Sequence, residues 1–435
     1  MAISKIEPQI YSSKQPRIRI SEYITDPDKG IETREKLIDA LQRAAILEFS
    51  TIPPYLCALY SIKDVTTQAF QTLRSVVLEE MLHLNLVSNL VNSIGGFPVF
   101  VVGGNALVPS YPGYIFNQDP PSGPYVQLMA ASTDLMQQVF MEIEKPAPYN
   151  APAQEDDFVT IGQFYKAIEQ GFENCVATEP DLFTKYGPGF QRTDLYFGSG
   201  GGKAIYVDSL DTAKLAIKEI VQQGEGATPP KQEYQDKQPF GTYNYYGYRS
   251  DDTYGPILGT PLDLSHYFKF KDLADGKIPL GTVYPMIPNP SLDEFESRWT
   301  RQLAELFNDA YGLMINTLQV LFSCQSEPDP FYTIIVPLMQ GVFTTLSTQL
   351  MQLPVLENGD SSLGANAGPC FQYSSITVED FLVKTSMLKT ELDQAVTEDI
   401  GLKSILATVT KLQNILQDIN YKIDNQSLKV NLANL

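Results

Sequence analysis

The residues of this sequence whose type and spacing most directly suggest chemistry are Glu80 and His83. They stand three positions apart in a segment that has apolar residues at helical spacing, namely Leu73, Val76, Val87, Leu90 and Ile94. Side chains three positions apart share one face of a helix, so both groups occupy places that the pattern reserves for core residues. An unpaired buried carboxylate is costly, and a metal ion would compensate a carboxylate and a neutral imidazole together. The pair predicts metal ligation, with a buried ion pair to Arg74 or to the backbone as the alternative.

Glu48 repeats this anomaly in an upstream segment, where its neighbours at helical spacing are Leu37, Leu41, Ala45 and Ile52. Tyr55 follows Glu48 by seven residues and is the candidate catalytic residue. A glutamate on one helix and Glu-x-x-His on the next form the first half of the pattern in carboxylate-bridged di-iron four-helix bundles. The two helices therefore predict a shared metal site, and a polar network between Glu48 and Tyr55 is the alternative.

The composition excludes several classes of partner. The chain has 435 residues, with 31 Lys and Arg against 51 Asp and Glu, and a formal charge of -20. Nucleic acid and anionic membranes require cationic surface, so we expect neither as a partner. Only 19% of the residues are charged and 11% are aromatic, which indicates a globular protein with large aromatic-lined interior surfaces. A bundle with long aromatic loops offers a pocket, so we expect a small molecule as the partner.

The cysteines and the N-terminal residues bear on the cellular compartment. Cys57, Cys175, Cys324 and Cys370 form no C-x-x-C pair, so neither a zinc knuckle nor a dithiol redox motif is predicted. Residues 1–19 lack the apolar stretch of a secretory signal, and we find no run of about 18 apolar residues that would span a bilayer. We expect a soluble, cytoplasmic protein.

Helical periodicity predicts the elements that must position these side chains. Bundle helices are expected at 33–60, 66–94, 160–175 and 210–224, with a further helix at 126–143. Thr160 and Asp211 are the predicted N-caps of the third and fourth bundle helices, and Glu169 lies beside the apolar stripe of the third. Pro53 and Pro54 predict a kink or break in the first helix.

The remainder of the chain divides into a long loop and a second helical region. Residues 226–262 are rich in Tyr, Pro and Gly, and a loop of this length is usually functional or disordered. Three helical segments without histidine follow at 298–322, 331–353 and 378–421, which favours a scaffold, a cover or the surface of a homodimer. The predicted organisation is an N-terminal extension (1–32), a metal-binding bundle with insertions (33–285) and a C-terminal helical region packed on it (286–435).

Five strings resemble a known family. They lie at 47–56 (LEFSTIPPYL), 79–83 (EEMLH), 223–226 (QGEG), 265–270 (SHYFKF) and 368–371 (GPCF). They are similar to strings in the ferritin-like proteins related to iminophenyl-pyruvate dimer synthase. That enzyme class couples two oxidised aromatic amino acids in violacein- and rebeccamycin-type pathways. The resemblance spans roughly residues 33 to 375 and implies a mainly α fold, a ferritin-like four-helix bundle with long loop insertions and additional C-terminal helices.

The resemblance also implies a ligand set at matching positions, with Glu169 as an addition: Glu48, Glu80, His83, Glu225 and His266. Ferritin-type bundles usually supply the second histidine from Glu-x-x-His on the fourth helix. Here position 228 is Thr, and His266 follows Glu225 by 41 residues. If Glu225 is not a ligand, it is a loop carboxylate. If His266 is not a ligand, it caps a helix, lies in the second sphere of the metal or binds substrate. One or two iron ions are implied, with manganese and an additional haem left open.

Two functions are consistent with these residues. The first is a non-haem iron oxidase or oxygenase, expected to be di-iron, which acts with O2 on a small aromatic or amino-acid-derived metabolite of secondary metabolism. Carboxylates and imidazoles bind Fe(II) while leaving positions open for O2. The second is a non-enzymatic ferritin-like protein with a vestigial site, which serves as a scaffold, a partner-binding protein or an iron-binding protein.

Overall fold

A computed structural model describes residues 30–116, 122–146, 160–186, 189–195, 202, 204–225, 264–324, 328–357, 359–362, 364 and 366–426. The predicted N-terminal extension up to residue 29 and the tyrosine-rich loop 226–262, with Tyr243, Tyr245, Tyr246 and Tyr248, lie outside the described residues. The described part is mainly helical, which confirms the predicted fold class.

The helices in chain order are α1 (Arg34–Ser61), α2 (Gln68–Ser93), α3 (133–143), α4 (Ile161–Thr178), α5 (Leu182–Lys185), α6 (Leu210–Gly224), α7 (His266–Ala274), α8 (Arg298–Ser323), α9 (Phe331–Leu350), α10 (Val378–Ala395) and α11 (Lys403–Gln426). Short 3-10 turns lie at Leu292–Glu294 and Ile400–Leu402. Two antiparallel hairpins pair β1 (Val101–Val102) with β2 (Asn105–Ala106) and β3 (Gly113–Phe116) with β4 (Ser122–Val126).

Four of these helices form a closed bundle. α1 packs on α2, α2 on α6, α6 on α4, and α4 on α1, as the sequence predicted. Each helix has an N-cap residue whose side chain accepts a hydrogen bond from a backbone N–H of the first turn. These residues are Thr33, Thr67, Thr160 and Ser209. The cap at Thr160 is confirmed. The cap predicted at Asp211 is wrong, because Ser209 takes that place and Asp211 lies in the first turn of α6.

Of the kink or break predicted at Pro53 and Pro54, the break does not occur, because α1 continues through both residues. A proline cannot donate to the carbonyl four residues before it, which leaves the Ser50 carbonyl without its helical partner at Pro54. The hydroxyl of Tyr111 donates to this Ser50 oxygen at 2.6 Å. An outside donor therefore satisfies the group that the proline leaves free.

α3 is shorter than predicted and is irregular. Its central residues, Met136–Phe140, form a π-helical turn between Thr133–Leu135 and Met141–Ile143. Such turns insert one extra residue and often occur at functional sites. α3 packs against α7, and α7 also contacts α2 and α6, so this pair of short helices closes one side of the bundle.

The C-terminal helices cover the other side of α1. The last residues of α9 pack on α1, and α9 itself lies between α8 and α11. The helix predicted over 378–421 is divided into α10 and α11 by the turn around Ile400–Leu402. In the described part of the chain, α9 is long and apolar enough to cross a membrane, with a mean hydropathy of 1.2. Half of its apolar window is buried against these neighbours, as in core helices that pass the same test.

Candidate metal centre

Two groups of metal-ligating side chains meet inside the bundle. Glu48 from α1 and Glu80 and His83 from α2 place ligand atoms within 4.8 Å of one another, and Glu80, Glu144 and His266 do the same. Glu80 belongs to both groups. All five residues are buried, with exposures of 4% or less. The arrangement therefore offers two adjacent cation positions that share one carboxylate.

The protonation of the cluster shows how strongly it attracts positive charge. Burial raises the pKa of Glu48 and of Glu144, and the neighbouring carboxylate of Glu80 raises both further. Burial opposes ionisation of Glu80 as well, but His266 and His83 outweigh it and hold its pKa well below the usual range. Burial alone would lower the pKa of His83, whereas hydrogen bonds and charge from Glu48 and Glu80 raise it to about 10. Protons or metal ions must accompany these carboxylates.

His83 is oriented by a partner on α6. Its Nε2 lies 2.8 Å from the Oε1 of Gln223, and an amide oxygen can only accept, so Nε2 carries the hydrogen. Its Nδ1 lies 3.5 Å from Glu48 Oε2 and 3.8 Å from Glu80 Oε2. In the neutral imidazole, the Nδ1 lone pair therefore points towards the carboxylates, as a metal ligand requires.

His266 has the same arrangement on the opposite side of Glu80. Its Nε2 lies 2.8 Å from Glu79 Oε2, while Nδ1 lies 2.8 Å from Glu80 Oε1 and 3.5 Å from Glu144 Oε1. Nδ1 is buried and has no well-aligned hydrogen bond among the described residues. With Nε2 as the donor to Glu79, the Nδ1 lone pair and the carboxylate oxygens would repel each other. Burial alone would lower the pKa of His266, but Glu144, Glu79 and Glu80 raise it well above its usual value. A proton on Nδ1 or a metal ion between these atoms removes the repulsion, so the residues fit a cation.

Glu225, which follows α6 directly, lines the same small cavity as Glu48, Glu80, His83 and Glu144. Its Oε1 accepts a hydrogen bond from the backbone N of Gly162, in the first turn of α4. Backbone N–H groups at a helix N-terminus favour negative charge. A Cβ at position 162 would overlap the Glu225 carboxylate, so this approach depends on glycine.

Comparison with known families decides what kind of bundle this is. A family model described as ferritin-like matches residues 41–275, which is more than half of the chain. The chain belongs to the ferritin-like family. None of the curated proteins matches it significantly. Among solved structures, this chain is similar to a ferritin like protein from Caulobacter vibrioides, with 21% sequence identity and a TM-score of 0.46. The matched region covers 81% of this chain and 99% of the Caulobacter chain.

Ferritin-like di-iron proteins take a single Glu from each of two helices and Glu-x-x-His from each of the other two. This ferritin-like chain contains the same donors in a different arrangement. Glu80 and His83 form Glu-x-x-His, and Glu48 and Glu144 are carboxylates without such a histidine. Glu225 lines the same cavity but has Thr three positions later, and the second imidazole of the cluster is His266 on α7.

Hydroxyl groups hold three of the carboxylates in place. Tyr165 on α4 donates to Glu48, and Tyr55 donates to Glu144 Oε1 at 2.8 Å. Thr51 Oγ1 lies 2.8 Å from Glu80 Oε2 and 2.8 Å from the backbone oxygen of Glu48, which share its one hydrogen. Burial, followed by nearby carboxylates, raises the pKa of both tyrosines well above the usual value, so they remain donors. Tyr55, predicted to be catalytic, thus contacts a candidate ligand directly.

The structure brings Glu48, Glu80, His83, Glu225 and His266 together, but it does not bring Glu169 to them. α4 turns Phe164, Ile168 and Phe172 inwards, and the adjacent Glu169 is 39% exposed, 3.9 Å from Lys214 Nζ. The interpretation of Glu169 as a ligand is therefore corrected.

Sequence reasoning missed Glu144, although a signal exists. Glu144 follows Met136 and Phe140 at intervals of four, and both of those residues are buried. The helix predicted over 126–143 ends where α3 ends, and Glu144 is the residue that follows it.

Glu79 lies about 100° around the helix from Glu80, which predicts that it faces a different neighbour or solvent, and the structure shows a different neighbour. It is buried, and its Oε2 accepts from Lys269 Nζ at 2.7 Å as well as contacting His266. Burial alone would raise the pKa of Glu79, but Lys269 and His266 outweigh that effect and lower it. A charged lysine with no exposed surface thereby anchors the carboxylate that orients His266.

We predict that Lys269→Met destabilises the protein by about 3–5 kcal/mol, because it leaves the buried Glu79 without its cation. The matched control is Lys271→Met on the same helix, which removes an exposed ion pair to Asp275 and should change stability little. Thermal and denaturant unfolding measure both variants. Equal effects of the two substitutions would contradict the assigned role of Lys269.

Proposed function

We propose that this ferritin-like protein binds two iron ions and uses O2 to oxidise a small metabolite. The observation that carries the proposal is the sharing of Glu80 between the group with Glu48 and His83 and the group with Glu144 and His266. One carboxylate between two sets of carboxylate and imidazole donors is the arrangement of a dinuclear centre.

Charge balance favours two ions over one. Glu48, Glu80, Glu144 and Glu225 surround one buried cavity and carry four negative charges when ionised. Two divalent cations neutralise them without added protons, whereas one cation would require two of the carboxylates to be protonated, since uncompensated charges in the core are costly. Carboxylate oxygen and imidazole nitrogen donors suit Fe(II), and Mn(II) accepts the same set.

The groups around the ligands support an active centre over a vestigial one. Gln223 and Glu79 fix the two imidazoles, and Tyr165, Thr51 and Tyr55 hold the carboxylates. Such outer partners tune affinity and activity in metal sites. A bundle that served only as a scaffold would have no need of them.

The cavity among the ligands is small and partly apolar. Its volume is about 10 Å³, room for about one water-sized molecule, and Ile161, Ile220 and Val221 form its apolar wall. Bound iron supplies the electrons that O2 cannot take from an organic molecule directly. In the net reaction we propose, the substrate loses two electrons and two protons, and O2 receives them to become hydrogen peroxide. Tyr55, which stays protonated, holds a proton beside Glu144.

The substrate class rests on the resemblance to the relatives of iminophenyl-pyruvate dimer synthase, and we propose an aromatic or amino-acid-derived molecule. A cytoplasmic location is supported by the unpaired state of all four cysteines, as expected in a reducing compartment. A homodimer without nucleic-acid or membrane partners stays a prediction.

Iron stoichiometry tests the two-ion proposal. Anaerobic titration with Fe(II), followed by metal analysis, should give two ions per wild-type chain. Glu144→Ala removes a ligand from only one group and should leave one tightly held ion, while Glu169→Ala, the matched control outside the cluster, should still hold two. A wild-type chain with one ion, or equal loss in both variants, would overturn the proposal.

Oxygen consumption tests the reaction. The reduced, iron-loaded protein should consume O2 beyond metal reoxidation and form hydrogen peroxide with at least one member of a panel of aromatic amino acids and their imino acids. Glu80→Ala, which lacks the shared ligand, should lose this activity, and Glu169→Ala should retain it. If the loaded wild type reoxidises but none of the panel increases its O2 uptake, the substrate class is wrong.

A further inference from the structure

A second, larger cavity lies on the other side of the α1 and α2 pair, where the C-terminal helices cover them. Its volume is about 110 Å³. Residues from four helices form its walls, among them Phe49, Leu56, Leu84, Met314, Leu318 and Phe343. No charged side chain lines it among the described residues. A cavity of this composition excludes ions, because a charge there would be desolvated without a partner.

Tyr311 on α8 brings a polar group to this apolar cavity. Its side chain is 2% exposed and lines the cavity, yet its hydroxyl has no hydrogen-bond partner among the described residues. Buried hydroxyl groups are nearly always hydrogen-bonded, so an unpaired one calls for a specific explanation. Burial raises the pKa of Tyr311, so the hydroxyl is a neutral donor.

The ring of Tyr311 is held by its aromatic neighbours. Its centroid lies 5.3 Å from that of Phe371, edge to face, and 6.2 Å from that of Phe49. Such contacts restrict the ring without satisfying its hydroxyl. Because the ring is packed from two directions, its position in the cavity wall is fixed.

The cavity has an opening through which a ligand can enter. Met81, Val336 and Met339 at its edge are only partly buried, and Gln340 is exposed. Methionine side chains are flexible and adapt to differently shaped apolar molecules. The entrance is therefore deformable, while the interior around Tyr311 is closely packed.

We propose that this cavity binds a small, uncharged, mainly apolar molecule with one hydrogen-bond acceptor, which Tyr311 donates to. Its volume sets the scale at a single aromatic ring, since a dry engineered cavity of about 150 Å³ binds benzene. The site contains none of the candidate metal ligands and does not depend on the proposed oxidation. Two of its lining residues are neighbours of candidate metal ligands in the sequence: Phe49 follows Glu48, and Leu84 follows His83.

A pair of isosteric probes tests this site. Acetophenone carries a carbonyl acceptor, and α-methylstyrene has the same shape with a methylene group in its place. Isothermal titration and ligand-observed NMR on the full chain should show acetophenone bound at one site. Tyr311→Phe should weaken acetophenone binding by roughly 2- to 10-fold, the effect of one hydrogen bond, and leave α-methylstyrene binding unchanged.

Two further variants complete the design. Met339→Trp narrows the partly exposed entrance and should reduce binding of both probes, with thermal unfolding as the check that the fold is kept. Tyr421→Phe, at an exposed tyrosine on α11, is the matched control and should bind as the wild type does. The proposal is overturned if the wild type binds neither probe, or if Tyr311→Phe binds acetophenone with unchanged affinity.

Discussion

Four carboxylates and two imidazoles share one buried region of this protein, and they can remain there only together with positive charge. This electrostatic constraint governs much of the surrounding structure. Glu80 lies at its centre, because both imidazoles lower its pKa and both metal groups include it. Tyr165, Thr51 and Tyr55 contact the carboxylates through their hydroxyl groups, and Gln223 and Glu79 accept from the imidazoles. The cluster is thus arranged for cations even though its members come from distant parts of the chain.

The fold meets this constraint by covering α1 and α2 from two directions. On one side α4 and α6 complete the bundle, with α3 and α7 closing its flank, and on the other side the C-terminal helices bury the remaining surface. Water is thereby kept from the cluster, which strengthens every charge interaction within it. Where the C-terminal helices α8 and α9 cover α1 and α2, they enclose the apolar cavity that Tyr311 lines.

The sequence predicted the part of the site that local periodicity specifies. Glu48, Glu80 and His83 break regular apolar stripes on long helices, so their inward direction could be read from spacing alone. Glu225 and His266 came from the resemblance, since no spacing rule connects a residue after α6 with one on α7 across 41 positions. The prediction of Glu169 as a ligand was wrong because this residue lies at the edge of the apolar stripe of α4. Each residue is rotated by about 100° around the helix axis from the one before it, so a position next to the stripe can face solvent.

Other features depend on tertiary contacts that periodicity does not encode. Glu144 follows a helix with a π-helical turn, which shifts the register on which a stripe argument relies. α1 continues through two prolines, and the Ser50 carbonyl, which Pro54 leaves without a helical donor, accepts from Tyr111 in a distant loop. Glu79 stands next to Glu80 but points to Lys269 and His266 on α7, a helix whose position could not be inferred from sequence.

The most direct test of this account is anomalous diffraction at the iron edge from crystals of the iron-loaded protein. The account predicts two iron peaks on either side of the Glu80 carboxylate, one bound by Glu48 and His83 and the other by Glu144 and His266. A single peak, or peaks at which Glu80 is not a ligand to both ions, would contradict it.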